Sequence, residues 1–258
     1  MKLRFLSVLM CLLLTSCAGT KVLDEPVVLE TTQPLGVVED GVVRVTLDWV
    51  IVHDGPGAWA QGADWDEYLV RIENVSESPV NLQGTTLVDS LGTPIEPGRS
   101  RHALVDASKS NLERYEDLNI PIQPGEGNAT MMAAGGVALV GAGTAWAVSV
   151  TEAAFTAGAA GGTAATIAGG LLVIGPALIV GSMVRQSDQR KVDRQIRRLR
   201  TRFPQKLTPG EEQLLHIFFP VSPSPRSLSF EYHAKNDLEI VELDTQEILR
   251  GLHMRSDR

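Results

Sequence analysis

Hydrophobic and polar residues alternate with a period of two over much of this chain. Val43, Val45, Leu47, Trp49 and Ile51 stand against Arg44, Thr46, Asp48 and Val50, the pattern of a half-buried strand. Tyr68, Val70 and Ile72 repeat it against Leu69, Arg71 and Glu73. Between the two runs, His53-Asp54-Gly55-Pro56-Gly57 and Gly62-Ala63-Asp64 carry turn chemistry. Short strands are predicted at 80–82 and 85–88, punctuated by Gly84 and Gly92, and a short helix at 107–118. The alternation returns near the C-terminus. Leu215, Ile217 and Phe219 alternate with Leu214, His216 and Phe218; Leu228, Phe230 and Tyr232 alternate with Ser229, Glu231 and His233. A third strand is expected at 238–243, then a closing helix at 245–254 capped by Asp244 or Thr245. Strands recurring every 8 to 12 residues or so predict a β-sandwich.

A different pattern interrupts this one. Residues 131–183 contain one charged side chain, Glu152, and eleven of the chain's 24 glycines. A bilayer-spanning helix needs about 20 apolar residues, so the stretch divides into two, at 131–150 and 164–184, with 151–162 as the bend. Small residues recur at four-residue spacing: Gly158, Gly162, Thr166 and Gly170 on one stripe, and Gly141, Ala145, Ser149 and Ala153 on another. Positions four apart share a helix face, so each stripe is a groove for a neighbouring backbone, the arrangement of a glycine zipper. Pro176 is expected to kink the second helix. A helical hairpin buried in the protein's own core, or a Gly/Ala linker, would also fit a low-charge stretch. Leu171-Leu172-Val173-Ile174 is too apolar for a solvated linker. Gly141-Ala142-Gly143 resembles the start of a dinucleotide fingerprint, but Trp146 replaces the third glycine.

The chain then becomes basic. Arg185, Arg190, Lys191, Arg194, Arg197, Arg198, Arg200 and Arg202 are opposed by Asp188 and Asp193 alone, while Val192, Ile196, Leu199 and Phe203 recur at spacings of 4, 3 and 4. This predicts an amphipathic basic helix at 185–206. Its expected seat is an anionic headgroup layer, apolar stripe down, with Arg190, Lys191, Arg194, Arg197 and Arg198 at the membrane surface. The competing arrangement is a solvated charged helix packed on the sandwich.

The N-terminus supplies an address. Lys2 and Arg4 precede an apolar run at 5–14, too short to span a bilayer, and Leu14-Thr15-Ser16-Cys17 follows. This segment resembles the signal and lipobox of bacterial lipoproteins. The resemblance implies cleavage before Cys17, acylation of its sulfur and new amine, and, with Ala18 rather than aspartate next, residence in the outer membrane. Cys11 leaves with such a signal, so no disulfide chemistry remains among the two cysteines. From Ala18 to Gly36 the chain reads as a tether. A hairpin returns both flanks to one side of the membrane, and an Arg-rich flank on the periplasmic side offends the positive-inside rule of the inner membrane. The outer membrane is free of that rule.

Pro209-Gly210-Glu211 leading into a strand that ends Phe218-Phe219-Pro220 resembles the small immunoglobulin-like sandwiches of envelope lipoproteins. The fold class expected is therefore mainly β: an immunoglobulin-like β-sandwich interrupted by a Gly/Ala-rich helical hairpin and a basic amphipathic helix. The segments are a signal (1–16), a tether (17–36), the first part of the sandwich (37–128), the hairpin (129–184), the basic helix (185–206), and the second part of the sandwich with its closing helix (207–258). A formal net charge of −8 on 258 residues argues against nucleic acid as a partner. Nucleophile elbows, zincin helices and phosphate loops are missing from the sequence. His216 and His233, expected on facing outward registers, lack a third metal ligand. Asp64, Asp66 and Glu67, beside Trp59 and Trp65, read as a solvated acidic loop. The chain is thus expected to be a non-enzymatic envelope protein without cofactor. Membrane lipid and further copies or an envelope complex are its expected partners; the alternative is an accessory subunit of a secretion or transport apparatus.

Overall fold

The computed structural model describes residues 20–23, 33–53, 55, 57–124, 176–235 and 237–255, with side chains of the last helix described from Asp188 onward. Eleven strands and two helices are placed in these residues. They are β1 (Lys21–Val22), β2 (Gly36–Glu39), β3 (Val43–Val52), β4 (Ala60–Gln61), β5 (Trp65–Asn74), β6 (Val80–Val88), β7 (Pro94–Ile95), α1 (Arg101–Asp117), α2 (Pro176–Leu199), β8 (Gln205–Leu207), β9 (Glu212–Pro220), β10 (Ser227–Ala234) and β11 (Asp237–Asp244). The protein is mainly β, and all its strand pairs are antiparallel.

Two larger sheets dominate. One has the order β2-β3-β5-β9; the other runs β11-β10-β6-β7, with β8 also paired to β6. One hydrophobic cluster draws on both: Leu47, Tyr68 and Phe219 from the first, and Leu82, Phe230 and Leu243 from the second. The sheets therefore share a core, and their other faces point in opposite directions. The interruption at 125–175 does not divide this arrangement. Strand β9, after it, pairs with β5 before it over nine residue pairs, and β10 pairs with β6.

The alternation in β3 changes phase partway along. Leu47 pairs with Val70 and Trp49 with Leu69, leaving Asp48 as an extra, bulged residue. A bulge flips the side-chain register, so Val50 and Val52 join Val43, Val45 and Leu47 in the shared core. Trp49 and Ile51 turn to the other face, contrary to the unbroken period expected. Asp48 is held in a two-bond pair with Arg71, Nε to Oδ2 at 2.7 Å and Nη2 to Oδ1 at 2.9 Å.

Other expectations are corrected. The strands expected at 80–82 and 85–88 are one strand, β6, and Gly84 lies inside it where the ladder with β10 shifts register between Glu231 and Tyr232. Helix α1 begins six residues before Ala107, because Ser100 caps it with Oγ accepting from the Ala103 amide at 3.3 Å. The closing helix is replaced by successive turns over 246–253, with Gly251 and His253 at positive φ, which breaks helical continuity. The tether is gripped early: Lys21 and Val22 pair with β4, and buried Thr20 donates to the Gly62 carbonyl at 3.0 Å. The zipper stripes, Cys17 and the signal lie outside the described residues. Pro176, the expected kink, is the first described residue of α2. Among the described residues, no helix is long and apolar enough to cross a membrane.

Candidate functional site

Part of the outer face of the β2-β3-β5-β9 sheet, around Trp65 and Phe218, is covered rather than solvated. Val192 and Ile196 of α2 are fully buried there with Trp65, Phe218, Ala60, Ala63 and Leu104, and Leu199, Val22 and Trp59 pack at the margin. Phe218 explains why β9 is buried on both faces, and Trp59 meets its ring edge-on at 6.3 Å. Each buried aliphatic side chain of this size contributes about 1.5–3 kcal/mol. The apolar stripe of α2 is therefore committed to protein, and the expectation that it enters a headgroup layer is corrected. The residues that supply a better apolar surface, Trp65 and Phe218, come from strands that periodicity assigns no outer partner.

The opposite side of α2 keeps its charge. Arg190, Lys191, Arg194, Arg197 and Arg198 are all exposed. Lys191 is paired with Asp188 at 3.3 Å and Arg197 with Asp193. Asp193 also accepts the Arg101 backbone amide at 3.0 Å, placing a carboxylate at the positive end of α1. Helix α2 packs on β1 as well, and the Arg101 guanidinium donates to Thr20 Oγ1 at 3.2 Å. The five cations thus share a layer with the N-terminal strand and the start of α1.

Glu67, under this layer, is satisfied within the protein. Almost fully buried, it accepts from Trp59 Nε1 at 2.7 Å through one oxygen and meets His216 Nδ1 at 2.7 Å through the other. The His216 backbone is further fixed by Thr201: its amide donates to Thr201 Oγ1 and its carbonyl accepts from the Thr201 amide, each at 2.9 Å. Both carboxylate oxygens of Glu67 are occupied, so the group locks the sheet to the β4 loop. Asp66, the next residue in β5, points into the shared core, where Oδ2 meets His253 Nε2 at 2.8 Å with both side chains buried. Asp66 Oδ1 and the Tyr68 hydroxyl are buried without a hydrogen-bond partner. Burial first, and the Asp66 charge second, hold the Tyr68 hydroxyl well above the ordinary tyrosine range.

The expected acidic loop is thereby taken apart, since Asp66 and Glu67 belong to opposite faces of β5 and Asp64 alone remains exposed. The expected histidine pair is taken apart too. His216 stands on β9 of one sheet and His233 on β10 of the other, on outer faces that point away from each other. The Asp66–His253 contact joins residues 187 apart, and no local pattern announces it. No protein family, no curated protein and no solved structure matches this chain.

Proposed function

We propose that this chain is a lipid-anchored bacterial envelope protein with a structural or assembly role, acylated at Cys17 and resident in the outer membrane. Its body is read as an immunoglobulin-like sandwich on the periplasmic side. Its glycine-zipper insert at 129–184 is the element that self-associates or docks into an envelope complex. The observation that carries this reading is Leu14-Thr15-Ser16-Cys17 after a charged, then apolar, N-terminus. The two sheets around one core support the sandwich.

The body lies close to such an anchor. Thr20 is buried and bonded to Gly62, and three residues of chain reach at most ~11 Å. Helix α2 packs beside β1, so its five exposed cations face the layer that an acylated Cys17 enters. Their contact is electrostatic, each cation near an anionic surface contributing about 1 kcal/mol. The apolar stripe has no part in it. A second reading, an accessory lipoprotein of a secretion or transport apparatus, rests on the sandwich alone.

The anchor is tested by Cys17→Ser. This variant should lose labelling by a clickable palmitate analogue and accumulate as uncleaved precursor. Labelling that persists would overturn the assignment.

A further inference from the structure

The outer face of the β11-β10-β6 sheet has no helix over it among the described residues, and one corner of it is cationic. The strand registers set Lys206 beside Asn81 and Asn81 beside His233, so three strands contribute one transverse row. The residues alternating with them, Val80, Leu82, Leu207 and Tyr232, are buried in the core. Lys206, Asn81 and His233 must therefore point outward. Lys235 follows at the β10–β11 turn with φ +60, a left-handed position that carries its side chain round to the same end. Together with Pro79 and Val80 these four line a groove of roughly 630 Å³.

Neither lysine forms an ion pair among the described residues, and both are exposed. Glu231 lies two residues from His233 along β10, about 7 Å away by strand rise, and bounds the positive region on one side. Two ammonium groups, an imidazole and a carboxamide offer N–H donors from both walls. Tetrahedral oxyanions accept such donors from several directions at once. The volume exceeds that of a lone oxyanion, which fits an ester with a body beyond the charged group.

We infer that Lys206, Lys235, His233 and Asn81 form a binding site for the phosphoryl group of a soluble phosphate ester. The soluble source is preferred because this face is turned away from α2 and β1, the layer assigned to the membrane. The site does not depend on acylation of Cys17.

The test uses the full chain in detergent micelles with pyrophosphate as probe, read by calorimetry and by the His233 ring resonances, against sodium chloride at matched ionic strength. Saturable binding that moves the His233 signals is expected. Lys206→Gln with Lys235→Gln should weaken it by about tenfold or more, with an unchanged melting temperature because both side chains are solvated. Arg194→Gln with Arg197→Gln and Arg198→Gln should leave it intact. Shifts that chloride reproduces, or affinity that survives the lysine pair and falls with the arginine set, would overturn the site. A loss of anionic-vesicle binding in the lysine variant would overturn the soluble source and name a lipid headgroup instead.

Discussion

At the scale of single residues, the buried Asp66–His253 contact has the largest consequence. His253 sits in a turn of positive φ, and its carbonyl accepts from the Gln123 amide at 2.9 Å. Met254 bridges Ile122 and the Arg255 amide reaches Pro121. One contact therefore holds both the C-terminal segment and the root from which the insert departs. His253→Ala leaves a carboxylate buried without its partner, which costs about 3–5 kcal/mol. Urea titration should show that loss, with faster amide exchange at Gln123. Tyr68→Phe, by contrast, removes a buried hydroxyl that has no partner, and should be neutral or stabilising in the same titration. All three tyrosines of the chain are raised, Tyr68 and Tyr115 chiefly by burial, Tyr232 by burial and then by its 2.6 Å hydrogen bond to the Asp40 carboxylate. The folded state thus keeps protons that the unfolded chain releases near pH 10. Their stabilising effect is intact below about pH 10 and is lost as pH rises beyond it. Absorbance at 295 nm should accordingly show no tyrosinate near pH 10, then a step that coincides with unfolding.

At the scale of elements, α2 separates two properties that its sequence carries together. Ile196→Ala should cost about 2–5 kcal/mol, since the side chain is fully buried between Trp65, Phe218 and Leu104. Reversing Arg194, Arg197 and Arg198 to glutamate should cost no more than about 1–2 kcal/mol, since the side chains are exposed but Arg197 loses its pair with Asp193 and the helix C-terminus its positive charge. The same reversal should weaken binding of the full chain to anionic vesicles, and added salt should do likewise. Vesicle binding that ignores both would remove the electrostatic role proposed for the helix. The apolar spacing of Val192, Ile196 and Leu199 was legible in the sequence as amphipathicity. Its partner was not, because lipid and the back of a sheet present the same chemistry to an aliphatic stripe. Strand β3 makes a similar point. Its length followed from alternation, yet the bulge at Asp48 depended on Arg71 in a different strand.

At the scale of the whole molecule, the two sheets close around their core through pairings that jump the insert: β5 with β9, and β6 with β10. Replacing 129–175 by a short Gly/Ser linker, with α2 kept, should therefore leave a folded body whose melting temperature stays within a few degrees of the parent. A zipper that mediates assembly predicts loss of cross-linked oligomers in the same variant. An unfolded product would show instead that the insert belongs to the core. The sequence by itself located the longer strands, β3, β5, β6, β9, β10 and β11, though not the short β1, β2, β4, β7 and β8, and showed which stretch is apolar, small and almost uncharged. It also carried the lipobox resemblance on which the address rests. These are local matters, since side-chain periodicity, glycine spacing and a signal are each written within about 20 contiguous residues. Tertiary structure alone decided that α2 spends its apolar face on Trp65 and Phe218, that His216 and His233 face opposite ways, and that Asp66 finds His253. Each depends on which surfaces meet when distant strands pair, and free energy of burial is the same whichever apolar partner a local pattern finds.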